Sequence, residues 1–227
     1  MQGTEGDWDQ EIKAVIFDLD NTLFDFIEAK FKACDAVTEY LGLEDDLLEY
    51  FFRGKYDIED EENIRDYLKD NDVYSEETYS VCSKIYEKTK LDSVEIYEGV
   101  ERTLDSIKEM CLKIVVVTDA NKVNAEARIK KLKLSKYIDY LITHESTGKK
   151  KPHHMPFLHA VKKLGLKHNE IVMVGDSPER DLKPSREIGF YTVYAEYGDR
   201  NIDQDTEPVY DSKISSPEGL LDVLKSI

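Results

Sequence analysis

At 227 residues the chain has room for one sizeable core and a smaller second module, and 41% hydrophobic with 35% charged residues suits a globular fold. Asp and Glu outnumber Lys and Arg by 48 to 31, a net charge of −17 that repels nucleic-acid backbones and anionic membranes and argues against both as partners. Three scattered cysteines, Cys34, Cys82 and Cys111, show no CxxC spacing and speak against structural zinc and a disulfide framework.

Residues 1–11 are polar and acidic, unlike a signal peptide, and are expected to form a loose tail with Trp8 as its apolar anchor. No stretch reaches the ~18 apolar residues of a membrane helix, so a cytoplasmic location is expected. Residues 12–18 (IKAVIFD) form a short continuous apolar run, the mark of a strand buried on both faces of a parallel sheet. From Ile27 to Tyr86 the pattern changes to helical spacing, in sets such as Ile27, Phe31, Cys34, Leu41 and Tyr79, Cys82, Tyr86. No strand signal interrupts this stretch. It predicts a bundle of about four helices over residues 26–92, inserted into a sheet domain of residues 12–25 and 93–227. Linkers near Asp25–Phe26 and at residues 93–98 would act as hinges.

Strand-like runs then return at residues 113–118, 138–143, 170–175 and 191–194. Helical patterns at residues 100–110, 122–134 and 153–164 separate them. Strand–helix alternation predicts right-handed βαβ units and an α/β fold: a doubly wound, Rossmann-like parallel sheet with a second, small all-helical domain. Residues 198–208 read as loop and 210–214 as a last edge strand. A closing helix is expected over 217–224, with Ser216 as N-cap and Pro217 in its first turn.

Polar clusters fall at the tips of four of the predicted strands. Asp18-Leu19-Asp20-Asn21-Thr22 follows the first. Residues two apart in an extended segment point to the same side, so Asp18 and Asp20 are expected to face one pocket, with Leu19 turned away. Two carboxylates that close repel unless a cation or shared proton compensates them, and oxygen ligands favour Mg²⁺; a solvated acidic turn is the plain alternative. Thr118, followed by Asp119, a turn and a helix start, offers O–H and N–H donors to an anion, or serves as an ordinary N-cap. Lys149-Lys150-Lys151-Pro152 is a basic loop in an acidic chain, and Lys151 is the chosen phosphate neutraliser because Pro152 restricts its backbone. Gly175-Asp176-Ser177-Pro178-Glu179-Arg180-Asp181 closes the set. Asp176 would join Asp18 in a carboxylate cluster. Asp181 would complement a helix dipole, or orient Lys151 and a metal-bound water.

Taken together, Asp18, Asp20 and Thr22 (DxDxT), Thr118, Lys151 before Pro152, and Gly175, Asp176 and Asp181 (GDxxxxD) resemble the haloacid dehalogenase superfamily from about residue 12 to the end. The helical insertion resembles the cap of the phosphoglycolate phosphatase-like subgroup. The resemblance implies a phosphatase with Asp18 as nucleophile and Asp20 as general acid and base. It places Mg²⁺ on Asp18, Asp176 and the main-chain carbonyl of Asp20, and phosphate on Thr118, Asp119 and Lys151, with Asp181 supporting metal and lysine. A phosphomutase, or a catalytically silent binding protein on this fold, is the alternative. A dehalogenase is disfavoured by Asp20. The expected substrate is a small phosphorylated metabolite, selected by cap and loop residues such as Phe24, Asp25, Phe26, Arg53 and Lys55; monomer and homodimer both stay open.

Overall fold

The computed structural model describes residues 11–44, 46–200 and 209–227. The expectations for the first ten residues, Trp8 included, and for residues 201–208 lie outside the described residues. The chain forms two compact units, Met1–Asp25 with Ile96–Ile227, and Phe26–Glu95.

The first unit is built on a six-stranded, wholly parallel sheet. Its strands are β1 (Ala14–Phe17), β2 (Lys113–Val117), β3 (Tyr140–Ile142), β4 (Ile171–Gly175), β5 (Tyr191–Ala195) and β6 (Ser212–Ile214), in the order β3-β2-β1-β4-β5-β6. All four residues of β1 are buried, as a central strand with both faces covered requires. Ala14 and Ile16 join Val115, Val117, Ile171 and Met173 on one face, against Phe157, Ala160, Leu182 and Phe190. Burying each such Val, Ile or Phe contributes roughly 1.5–3 kcal/mol relative to exposure. Strand order reverses between β1 and β4, and the crevice outside the carboxyl ends of strands at that switch point is where doubly wound sheets hold ligands.

Register sets what reaches that crevice. Phe17 pairs with Val116 on one side and Val174 on the other. Asp18, Thr118 and Asp176 therefore emerge within one residue of the same level. The Asp18 N–H still donates to Val174 O at 2.9 Å, but regular pairing ends there.

The second unit contains helices α1 (Phe26–Leu41), α2 (Leu47–Phe52), α3 (Glu62–Asp70) and α4 (Glu76–Asp92). Its core gathers Ala33, Cys34, Val37, Leu47, Phe51, Ile64, Tyr67, Leu68, Cys82 and Tyr86. Ser75 caps α4 by accepting the Thr78 N–H at 3.0 Å.

The sheet unit adds α5 (Val100–Glu109), α6 (Lys122–Lys131), α7 (His144–Thr147), α8 (Met155–Leu164), α9 (Lys183–Glu187) and α10 (Gly219–Ser226). Several boundaries differ from the periodicity. α6 stops at Lys131 because Lys133 takes a left-handed conformation (φ 57°) and leads into a 3₁₀ turn. Thr143 is not in a strand but caps the short α7, which the pattern did not indicate. α10 starts at Gly219, after a turn in which Ser216 O accepts the Gly219 N–H, so Ser216 is not its N-cap.

Candidate active site

β1 ends at Phe17, so Asp20 lies beyond the strand whose alternation was used to orient it. The chain instead folds into a tight loop. Leu23 N–H donates to Leu19 O at 3.0 Å, Asn21 N–H to Phe24 O at 2.9 Å, and Asn21 adopts a left-handed φ of 63°. Asn tolerates that region better than most residues.

At the switch point Asp18, Asp176 and Asp181 are buried, with carboxylate oxygens within 4.8 Å of one another. Opposite ligands of one Mg²⁺ stand about 4 Å apart, so this span is close to that of shared coordination. Lys151 lies against the cluster, its Nζ 2.5 Å from Asp18 Oδ1 and 2.6 Å from Asp181 Oδ1. Lys149 and Lys150 are exposed. Burial works against the Lys151 ammonium, but Asp18 and Asp181 outweigh it, and its proton affinity is raised. Burial, with Asp18 and Asp181 beside it, drives the Asp176 carboxyl well above the usual range. Burial also pushes Asp181 up to about 6, against the pull of Lys151.

Further hydrogen bonds fix these groups. Thr22 Oγ1 donates to Asp176 Oδ1 at 3.2 Å and accepts the Asp176 N–H at 3.1 Å. Tyr197 hydroxyl donates to Thr22 O at 2.8 Å. Asp181 Oδ2 accepts the Ser177 N–H at 3.3 Å from within a π-helical turn, Pro178–Leu182. Gly175 is required because a Cβ there would stand 2.6–2.8 Å from the Asp181 side chain.

Thr118 is buried at the tip of β2 and accepts the Ala120 N–H at 3.1 Å. It is not the helix cap: Asn121 caps α6 by accepting the Asn124 N–H at 2.8 Å. The Asp119 carboxylate accepts the Lys151 N–H at 2.8 Å and binds Arg180 through its other oxygen. Arg180 was not singled out by the sequence.

Asp20 stands apart from the acid cluster. Both its carboxylate oxygens accept from Arg128 Nη1, at 2.9 and 3.0 Å. Arg128 was not singled out by the sequence reading. The signal was present: Arg128 falls on the stripe of Ala125 and Ile129, the buried face of the helix, where a charge is out of place unless paired.

Asp25 is bound by Arg200. Phe26 is the buried first residue of α1. Arg53, just past α2, pairs with Asp66 and stacks over Tyr50 at 4.2 Å.

The model of the haloacid dehalogenase-like hydrolase family matches residues 15–195. The chain belongs to the haloacid dehalogenase-like hydrolases. It is similar to a glyceraldehyde 3-phosphate phosphatase of Methanocaldococcus jannaschii, 30% identical over 95% of this chain and 98% of that protein. A phosphoglycolate phosphatase of Chromobacterium violaceum is 28% identical over 83% of this chain and 87% of its own length. Among solved structures, a HAD phosphatase from Thermococcus onnurineus superposes with a TM-score of 0.67 at 25% identity, covering 94% of this chain and 98% of that one. This haloacid dehalogenase-like hydrolase is therefore an enzyme of the phosphatase kind. Among its described residues no helix is long and apolar enough to cross a membrane.

Proposed function

We propose that the chain is a Mg²⁺-dependent phosphatase that hydrolyses small phosphorylated metabolites through an aspartyl phosphate on Asp18. The observation that carries this reading is the convergence of Asp18, Asp176, Asp181 and Lys151 at the switch point of the sheet. The names of the relatives support short phosphorylated carbon chains as substrates.

The residues fit a hard divalent cation. Three buried carboxylates face one lysine, and the proton affinity of Asp176 is raised, as expected of acids short of positive charge. Asp18 and Asp176, with the main-chain carbonyl of Asp20, would hold Mg²⁺. Bound there, the ion supplies charge that stabilises the phosphoryl group as it transfers.

A carboxylate oxygen of Asp18 forms the new bond to phosphorus while the bond to the ester oxygen breaks. Asp20 gives its proton to the departing oxygen, then takes one from the water that attacks the aspartyl phosphate. That second step restores the Asp18 carboxylate and releases inorganic phosphate. Thr118 and Lys151 bind phosphoryl oxygens and offset their charge. Asp119 and Asp181 hold Lys151 by its main-chain N–H and its ammonium. We assign substrate selection to the helical unit of residues 26–95, which is inserted between the Asp18 and Thr118 segments and would serve as the cap.

Phosphate release from a panel of small phosphate esters, with Mg²⁺ and with EDTA, tests the reading. Mg²⁺-dependent turnover that disappears in a folded Asp18→Asn variant is expected. Turnover retained by D18N, or unaffected by EDTA, would overturn it.

A further inference from the structure

We propose that Arg128 is a positioning residue for the proton transfers assigned to Asp20, an inference that rests on the phosphatase reading. Arg128 lies on α6 and is 2% exposed. A helix face turned to a sheet is ordinarily apolar, and burying an unpaired guanidinium costs several kcal/mol. Here the charge meets a carboxylate 108 residues away in sequence, with one nitrogen almost equidistant from its two oxygens, at 2.9 and 3.0 Å. A swing of the carboxylate, or a shift of the loop that carries it, lengthens at least one of these contacts.

Asp20 needs such a support. It sits beyond the end of β1, in a loop shaped by turn bonds rather than by the sheet ladder. Misplacing a reacting group by about 1 Å can cost 10²-fold in rate. The other carboxylates each have a buried partner: Lys151 for Asp18 and Asp181, and Thr22 for Asp176. Arg128 supplies the equivalent for Asp20. Exposure follows the same logic, since the Asp20 side chain is 18% exposed and that of Arg128 3%, so the acid is the more accessible member of the pair. An arginine suits the task for a chemical reason. Its guanidinium does not deprotonate in proteins, so it holds the carboxylate without itself exchanging protons with it.

A purely structural role, tying α6 to the loop, predicts a different outcome from positioning. The experiment compares wild type, Arg128→Met, Asp20→Asn and the double variant in Mg²⁺-dependent hydrolysis of the alkyl phosphate that wild type turns over fastest, whose leaving group needs the proton. Positioning predicts that R128M lowers kcat about 10- to 100-fold with KM within about threefold. It also predicts that the double variant is no more than about threefold slower than D20N, because the arginine acts only through that carboxylate. R128K, which keeps the charge on a shorter side chain without the planar guanidinium, should fall between wild type and R128M. A kcat for R128M within threefold of wild type overturns the proposal, as does a raised KM with unchanged kcat. So do losses that multiply in the double variant. Should R128M fail to fold by far-UV circular dichroism, Arg128→Gln replaces it with the same thresholds. Wild type without Mg²⁺-dependent hydrolysis would bring down the phosphatase reading and this inference together. Active wild type with any overturning result brings down the positioning role alone.

Discussion

Replacing Lys151 by Met removes the ammonium that lies 2.5 Å from Asp18 and 2.6 Å from Asp181 while keeping a long unbranched stem. The lysine side chain is 2% exposed and those of its partners 11% and 1%, so water cannot replace it fully. Leaving one side of such a buried pair uncompensated costs about 3–5 kcal/mol. For a chain of this size that corresponds to a fall in Tm of about 10 °C. The loss depends on pH in a definite sense. Asp181 has its folded pKa raised to about 6, from an ordinary value near 3.8. The folded state therefore holds more protons between these values, and the penalty of ionising the buried acid develops as pH rises through them. Without Lys151 the folded pKa climbs further and the window extends upward. Melting of wild type and K151M in EDTA should show a gap of about 10 °C at pH 7.5 and a clearly smaller one at pH 5.0. A gap under about 2 °C at pH 7.5, or a larger one at pH 5.0, would refute the reasoning.

Asp20→Asn should slow esters with alkyl leaving groups more than nitrophenyl esters, because only the former need a proton to depart; equal slowing in kcat/KM would remove the acid role. Gly175→Ala places a methyl 2.6–2.8 Å from Asp181, and the forced shift should cost about 1–3 kcal/mol in urea unfolding and at least tenfold in kcat; wild-type values for both would show that the turn gives way freely. Away from the site, Asp139 accepts from Lys108, Lys113 and the Ile114 N–H at 2.7–2.9 Å, and these contacts outweigh burial to hold its pKa at about 2. A depressed acid contributes stability above its unfolded pKa, near 3.8, and loses it as pH falls toward 2. Wild type should exceed Asp139→Asn by about 2 kcal/mol in urea at pH 7, with the gap closing near pH 2; a gap independent of pH would exclude the charge as its source.

The doubly wound class was legible because parallel strands covered on both faces must be written as continuous apolar runs, and their order along the chain alternated with helical spacing. Element ends were less legible. The left-handed Lys133 and the Thr143 cap are decisions of single backbone angles, which periodicity does not encode. Strand alternation is no guide to Asp20, because β1 ends at Phe17.

Residue types and their places at strand tips thus determined which groups are proposed to carry the chemistry: Asp18, Thr118, Lys151 and Asp176 could be named from the chain alone. Tertiary structure decided their partners. That Lys151 bridges Asp18 and Asp181, that Asp119 takes Arg180, and that Arg128 pairs with Asp20 follow from packing between segments 30 to 133 residues apart. One-dimensional spacing fixes which face of an element a side chain occupies, whereas the choice of a buried charge's counterpart depends on which faces the fold brings together.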